Sequence, residues 1–147
     1  MKIGICSDHR GVYLKNSLIE YLEHSGYEVI NYGTDTVDSA DFPKYAFKLG
    51  KGINKHEVDL GIAICGTGIG MSIALNKVKG IYCAKISNIN EAVLCKRHND
   101  VNAIAFSADI DLDQAKSMVE KFIITPFSSE EKYIKRNNMI KEQEKNG

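Results

Sequence analysis

A chain of 147 residues fits one domain with a real core. Nineteen basic residues balance nineteen acidic ones, which removes the overall positive excess that a nucleic-acid binder usually carries. With 44% hydrophobic and 26% charged residues and two prolines, nothing suggests disorder or a fibre, and no apolar run nears the ~18 residues of a membrane span.

The chain opens on "KIGIC" (2–6), a short apolar strand ending at Ser7-Asp8. Leu14, Leu18, Tyr21 and Leu22 then recur at helical spacing, and Gly26 stops that helix. "EVIN" (28–31) reads as a second strand and the polar stretch "YGTDTVDSAD" as a loop. Ala46, Leu49 and Ile53 mark a helix across 43–55. "LGIAIC" (60–65) is a continuous apolar strand, the kind buried on both faces of a parallel sheet. A glycine loop follows, then a helix to about Asn76. "GIYCAKI" (80–86) is a fourth strand, and Asn88 with Glu91 has capping-box spacing ahead of a helix to Arg97. "NAIAFS" (102–107) is a fifth strand. Ala115, Met118, Val119 and Phe122 share one face of a helix around 112–123, which Pro126 breaks. Ser128 with Glu131 is expected to cap a last helix toward the C-terminus.

Strands alternating with helices predict an α/β fold with a doubly wound, five-stranded parallel sheet. Right-handed crossovers leave few arrangements, of which 2-1-3-4-5 is the expected order. The first and third strands are then neighbours that the chain leaves in opposite directions, so a ligand is expected at their carboxyl ends. The first strand delivers "SDHRG" (7–11) there and the third delivers "CGTGIG" (65–70).

The glycine loop fits no common nucleotide signature. Gly66 and Gly68 begin a dinucleotide fingerprint, but Met71 stands where its last glycine belongs, and no lysine follows Gly70 as a P-loop requires. A cysteine-loop phosphatase would carry an arginine at that same Met71. What remains is either a tight turn without a ligand or a row of backbone N–H groups opening a helix and hosting negative charge. Such a helix start also stabilises a thiolate at Cys65, with the Thr67 hydroxyl close by. The other cysteines, Cys6, Cys83 and Cys95, match no zinc or CxxC spacing and are expected to fill the core. The start "MKIGICSDHRG" is too soon interrupted by charge for a signal peptide, which points to a reducing cytoplasm. His24 and His56 sit in polar surroundings, whereas His9 points toward the crevice. His98 ends a helix, where a cation is favoured by the dipole, so spacing alone leaves its role open.

Three blocks, "SDHRGVYLK", "DLGIAICGTGIGMSIALNKVKGI" and "RHNDVNAIAF", resemble the signature segments of one cytosolic sugar-phosphate isomerase family, which includes the B-type ribose-5-phosphate and the galactose-6-phosphate isomerases. The similarity runs from Met1 to about Ile140. It implies one isomerase domain over 1–147, folded as a Rossmann-like three-layer α/β/α sandwich with a C-terminal helix. It further implies a homodimer or tetramer with the active site between subunits, a sugar phosphate as the small-molecule partner, and neither metal nor organic cofactor. The implied reaction is aldose–ketose isomerisation through an enediolate, with ribose 5-phosphate and ribulose 5-phosphate as the default pair. By resemblance, Cys65 is the base at carbon and His98 the acid–base that opens the sugar ring. Thr67 and the backbone donors of Gly66, Gly68, Ile69 and Gly70 would hold the oxyanion. Asn99 would bind substrate, Asp8 and His9 would contact sugar and phosphate, and Lys132 and Arg136 would add positive charge from the last helix.

The chain departs from the family pattern at four places. Asp109 stands where relatives usually carry a phosphate-binding arginine, and Tyr82 likewise replaces an arginine. Lys132 substitutes a point charge for a bidentate fork. Arg10 occupies a normally small or apolar position and is expected to restore positive charge near the ligand. These changes keep open an isomerase of a six-carbon or modified sugar phosphate. A non-catalytic sugar-phosphate binder would need neither Cys65 nor His98. A nucleotide-binding flavodoxin-like domain would show nucleotide affinity.

Overall fold

The computed structural model describes residues 1–147. Along the chain run β1 (Lys2–Ser7), a 3-10 turn (His9–Gly11), α1 (Val12–His24), β2 (Glu28–Asn31), α2 (Phe42–Asn54), β3 (Leu60–Cys65) and α3 (Ile69–Asn76). Then follow β4 (Cys83–Lys85), α4 (Ile89–Asn99), β5 (Ala103–Ser107), α5 (Leu112–Ile124) and α6 (Glu131–Asn146). All strand pairs are parallel. No helix is long and apolar enough to cross a membrane.

Side chains alternate between the two faces of a strand, and here the alternation sorts by size. Ile3, Ile5, Ile62, Ile64, Ile104 and Phe106 face one side, packed with residues of α1, α4 and α5. Cys6, Ala63, Cys65, Ala103 and Ala105 face the other, against α2 and α3. Small residues let those two helices come close. A Cβ at Gly4 would stand 2.7 Å from Leu49 Cδ1, so any larger residue there would push α2 off the sheet. The α/β/α sandwich therefore has one thick and one thin apolar layer.

The strand order is β2-β1-β3-β5-β4, which corrects the expected 2-1-3-4-5 at its last two places. Burial explains the exchange. Ala103 to Phe106 of β5 are all buried, as a strand covered on both sides must be, whereas β4 shrinks to three residues, none of them buried. The long apolar strand takes the interior place beside β3, and the short one takes the edge. As a consequence, the segment after β5 emerges directly beside the glycine loop.

Local signals held in detail at α4, where Asn88 Oδ1 accepts the Glu91 N–H at 2.8 Å and Glu91 Oε1 accepts the Ser87 N–H at 2.6 Å. They failed at α6. That helix begins after Glu130 with no side-chain cap, and Ser128 Oγ is buried without a partner. The Ser128 N–H instead donates to Arg97 O at 3.1 Å, which draws the segment onto the end of α4 rather than into a capping box. No residue of α6 is buried. Asn137 bonds Asn99 and His98 O, while Glu144 bonds Tyr82 and the Gly80 N–H, so polar contacts tie α6 down along its length.

Candidate active site

Parallel strands place every strand's carboxyl end at one edge of the sheet, and β1, β3 and β5 deliver their loops there side by side. Cys65 is the last residue of β3 and is 4% exposed. Its Sγ accepts the Gly68 N–H at 3.2 Å, a donor at the N-cap of α3, where the helix dipole favours negative charge. Gly68 holds φ +84, and a Cβ there would lie 2.7 Å from the Phe106 Cα, so both backbone conformation and space demand glycine. A Cβ at Gly70 would meet the Phe42 ring at 2.7 Å. Thr67 Oγ1 accepts the Ile69 N–H at 3.1 Å, and Thr67 is exposed at the mouth. The other thiols are held protonated by burial, which pushes Cys6 up strongly, Cys83 up to about 12 and Cys95 up to about 11.

The loop after β1 forms the facing wall. Asp8 Oδ1 accepts the N–H groups of Arg10 and Gly11, so half of this carboxylate caps the 3-10 turn. His9 Nδ1 accepts the Ala40 N–H at 3.1 Å, which leaves the ring proton on Nε2 and makes His9 a neutral donor there. Arg10 leans over Gly66, where a Cβ would meet its guanidinium at 3.0 Å, and reaches Asp109 Oδ1 at 3.5 Å. The two departures nearest the crevice thus pair with each other across it.

His98, Asn99, Lys132 and Arg136 are elsewhere. α4 starts near the carboxyl edge and runs 11 residues back toward the amino edge, about 16 Å at helical rise. There His98 stacks on Tyr133 of α6, ring centroids 4.5 Å apart. Asn99 Nδ2 donates to Asn137 at 3.0 Å, and Lys132 lies over the Tyr133 ring. A cavity of about 890 Å³ opens at this amino edge, lined by Leu60, Tyr82, Asn99, Asn102, Asn137 and Glu144 among others. It holds none of Cys65, Asp8, His9 or the glycine loop, so this cavity is not where the chemistry-bearing thiol sits. Within one chain, then, the expected residues fall into two groups at opposite edges.

Three parts of the crevice were not singled out in the sequence. Ser107 Oγ donates to Gly66 O at 2.8 Å and accepts the Asp109 N–H at 3.0 Å, fastening the glycine loop to β5. A signal existed, since the strands that deliver two of the loops, "KIGICS" and "AIAFS", both end in serine. Phe42 packs under Gly70, and the Ala40 N–H orients His9; backbone donors leave no trace in a sequence. No group of three His, Cys, Asp or Glu side chains gathers that could hold a metal ion.

Residues 3–140 match the ribose/galactose isomerase family. The chain belongs to that family. This member is 41% identical to ribose-5-phosphate isomerase B of Escherichia coli, over 83% of either chain. Its fold matches that of ribose-5-phosphate isomerase B from Clostridium thermocellum with a TM-score of 0.96, at 40% identity and 99% coverage of both. The Mycoplasma genitalium enzyme, solved with bound ribulose-5-phosphate, matches at a TM-score of 0.94 and 32% identity, covering 99% of this chain and 97% of that one. The resemblance read from the three sequence blocks is thereby confirmed as that of a sugar-phosphate isomerase family.

Proposed function

We propose that this sugar-phosphate isomerase interconverts ribose 5-phosphate and ribulose 5-phosphate by proton transfer at Cys65, in a site completed by a second copy of the chain. The observation that carries the reading is the Gly68 N–H aimed at Cys65 Sγ at the floor of a glycine loop. A thiolate stabilised there takes the proton from C2 of the open-chain aldose. The C2–H electrons form the C1–C2 double bond of the enediolate, and charge collects on O1. Backbone donors of Gly66 to Gly70, with the Thr67 hydroxyl, face that developing charge; removing one such donor costs about 10²–10³ in rate. A proton passes from O2 to O1, the thiol returns its proton to C1, and the carbonyl ends at C2.

Ring opening needs a second acid–base, assigned to His98 with Asn99 beside it. Because that pair stands at the far edge of its own chain, it serves the Cys65 of another. Support comes from α3, which exposes Ile69 (55%) and Ile73 (58%) one helical turn apart, right beside the crevice. A docked partner would cover this apolar stripe and bring His98, Asn99, Lys132 and Arg136 to it. His9 Nε2–H and Arg10 would meet the phosphate from the near side. The Arg10–Asp109 pair at the mouth favours, as a second reading, a sugar phosphate other than the five-carbon one. The test is ketose formation together with exchange of the C2 proton into deuterated solvent, over a panel of sugar phosphates. Cys65→Ala should abolish both with ribose 5-phosphate while leaving binding; a fully active variant would overturn the mechanism.

A further inference from the structure

Lys15 is a fully buried lysine, at 0% exposure, in the α1 face that packs on the sheet. Nothing in the isomerisation uses it, and a buried ammonium persists only where its protons are bonded. Its Nζ donates to Asp35 Oδ1 at 2.8 Å, to Asn31 Oδ1 at 3.1 Å and to Asn16 Oδ1 at 3.1 Å. All three donors are thus used. Asn31 Oδ1 also accepts the Gly33 N–H at 2.8 Å, and Asn31 Nδ2 donates to Asp35 at 2.9 Å. The same loop pairs with the end of β1, Ser7 N–H to Gly33 O at 2.7 Å and Thr34 N–H to Ser7 O at 2.8 Å. Further on, Thr36 Oγ1 accepts the Asp38 N–H at 3.1 Å, and the run ends at Ala40, whose N–H meets His9 Nδ1.

We propose that Lys15 is a positioning residue: it anchors the loop from β2 to α2 through Asn31 and Asp35, and that loop fixes His9 as an Nε2–H donor facing the crevice. Local hydrogen bonds hold the loop from Asn31 to Asp38, the backbone alone spans the two steps from there to Ala40, and the Ala40 N–H carries the contact that selects the tautomer. The effect on substrate rests on the function proposed above; the effect on the imidazole does not.

The experiment compares Lys15→Met and Asp35→Ala with the unaltered protein. Asp35 is largely exposed, so its removal opens no cavity, and Lys15 keeps its bonds to Asn16 and Asn31, which keeps the test open should the lysine variant unfold. Long-range ¹H–¹⁵N spectra of the histidines, with His9 assigned by loss of its signals in His9→Gln, should show a single Nε2–H form in the unaltered protein. Both variants should show a mixture of tautomers, faster exchange of the Ala40 amide, and a KM for ribose 5-phosphate raised about tenfold, as misplacement of a binding group does. In a His9→Gln background the added KM effect should vanish, which a general loss of stability would not produce. An unchanged His9 tautomer in a folded variant, or an equal KM effect without His9, overturns the proposal. Absence of activity on ribose 5-phosphate with the tautomer shift present would instead overturn the substrate reading.

Discussion

The split between the two residue groups allows a direct test by subunit complementation. Cys65→Ala removes the carbon base and His98→Asn removes the ring-opening acid–base, so each variant alone should be inactive on the cyclic sugar. The two positions lie at opposite edges of one chain, and α4, whose 11 residues run from one edge toward the other, is about 16 Å long. No side-chain rotation closes that gap. If a two-fold dimer pairs the Cys65 edge of one copy with the His98 edge of the other, a mixed dimer carries one doubly altered site and one intact site. Random reassembly makes about half the dimers mixed, with one of their two sites competent, so about a quarter of full activity should return. The two variants, each inactive, are unfolded together in denaturant, refolded, and assayed for ribulose 5-phosphate at fixed total protein. Activity rising to that level, and absent when they are mixed without unfolding, supports the shared site. A mixture that stays inactive, with mixed dimers verified by two affinity tags, would refute it, as would a His98→Asn variant that is active by itself.

Gly68→Ala should destabilise the fold by about 2 kcal/mol or more, the left-handed backbone alone costing about 1–2 kcal/mol in an L-residue. The clash with Phe106 adds to that, and denaturant titration showing less than about 0.5 kcal/mol would contradict the packing. Arg10 and Asp109 form an exposed pair, a class worth about 0–1 kcal/mol, so a phosphate can take Asp109's place. Arg10→Ala should therefore raise KM for sugar phosphates and Asp109→Asn should lower it; the same sign for both, or no change in the first, would remove Arg10 from the site. Hydrogen bonds from Lys15 and Asn31 lower Asp35 below its ordinary 3.8. A depressed carboxylate contributes stability above its unfolded value and loses it as pH falls through the folded one. Asp35→Asn should hence flatten the loss of stability below about pH 3.8 relative to the unaltered protein, read by urea titrations at stepped pH.

How much of this could be read from the residues differed by scale. The apolar runs at 2–6, 60–65 and 102–107 marked the three central strands, because continuous hydrophobicity is what burial on both faces demands. Their neighbours were harder. "GIYCAKI" looks as long as the fifth strand, but Tyr82 is turned to Glu144 and Gly80 takes φ +84, so only three residues pair. That difference decides which strand lies beside β3, and strand order is a property of the whole sheet rather than of either segment. Cys65 and its glycines were legible because they stand together at the end of an apolar run, whereas the neighbours they make room for, Arg10, Phe106 and Phe42, were not. The Arg10–Asp109 contact was not, since ninety-nine residues separate the two and the correct strand order is needed to bring them together.

The correction to the strand order bears on the chemistry as well as the topology. With β5 next to β3, Ser107 sits in register with Cys65, so its hydroxyl can fasten Gly66 O while its own chain carries Asp109 to the mouth. Had β4 taken that place, the polar lysine end of that strand would lie there instead. Each helix of a doubly wound sheet returns the chain to the amino edge. A residue at the end of such a helix, as His98 is, ends up on the side away from the strand-end loops. A thiol on a strand's carboxyl end and a histidine on a helix's carboxyl end are therefore kept apart by the fold itself. The proposed assembly of like chains, which would stack the exposed α3 stripe of Ile69 and Ile73 against a partner, would reconcile the two.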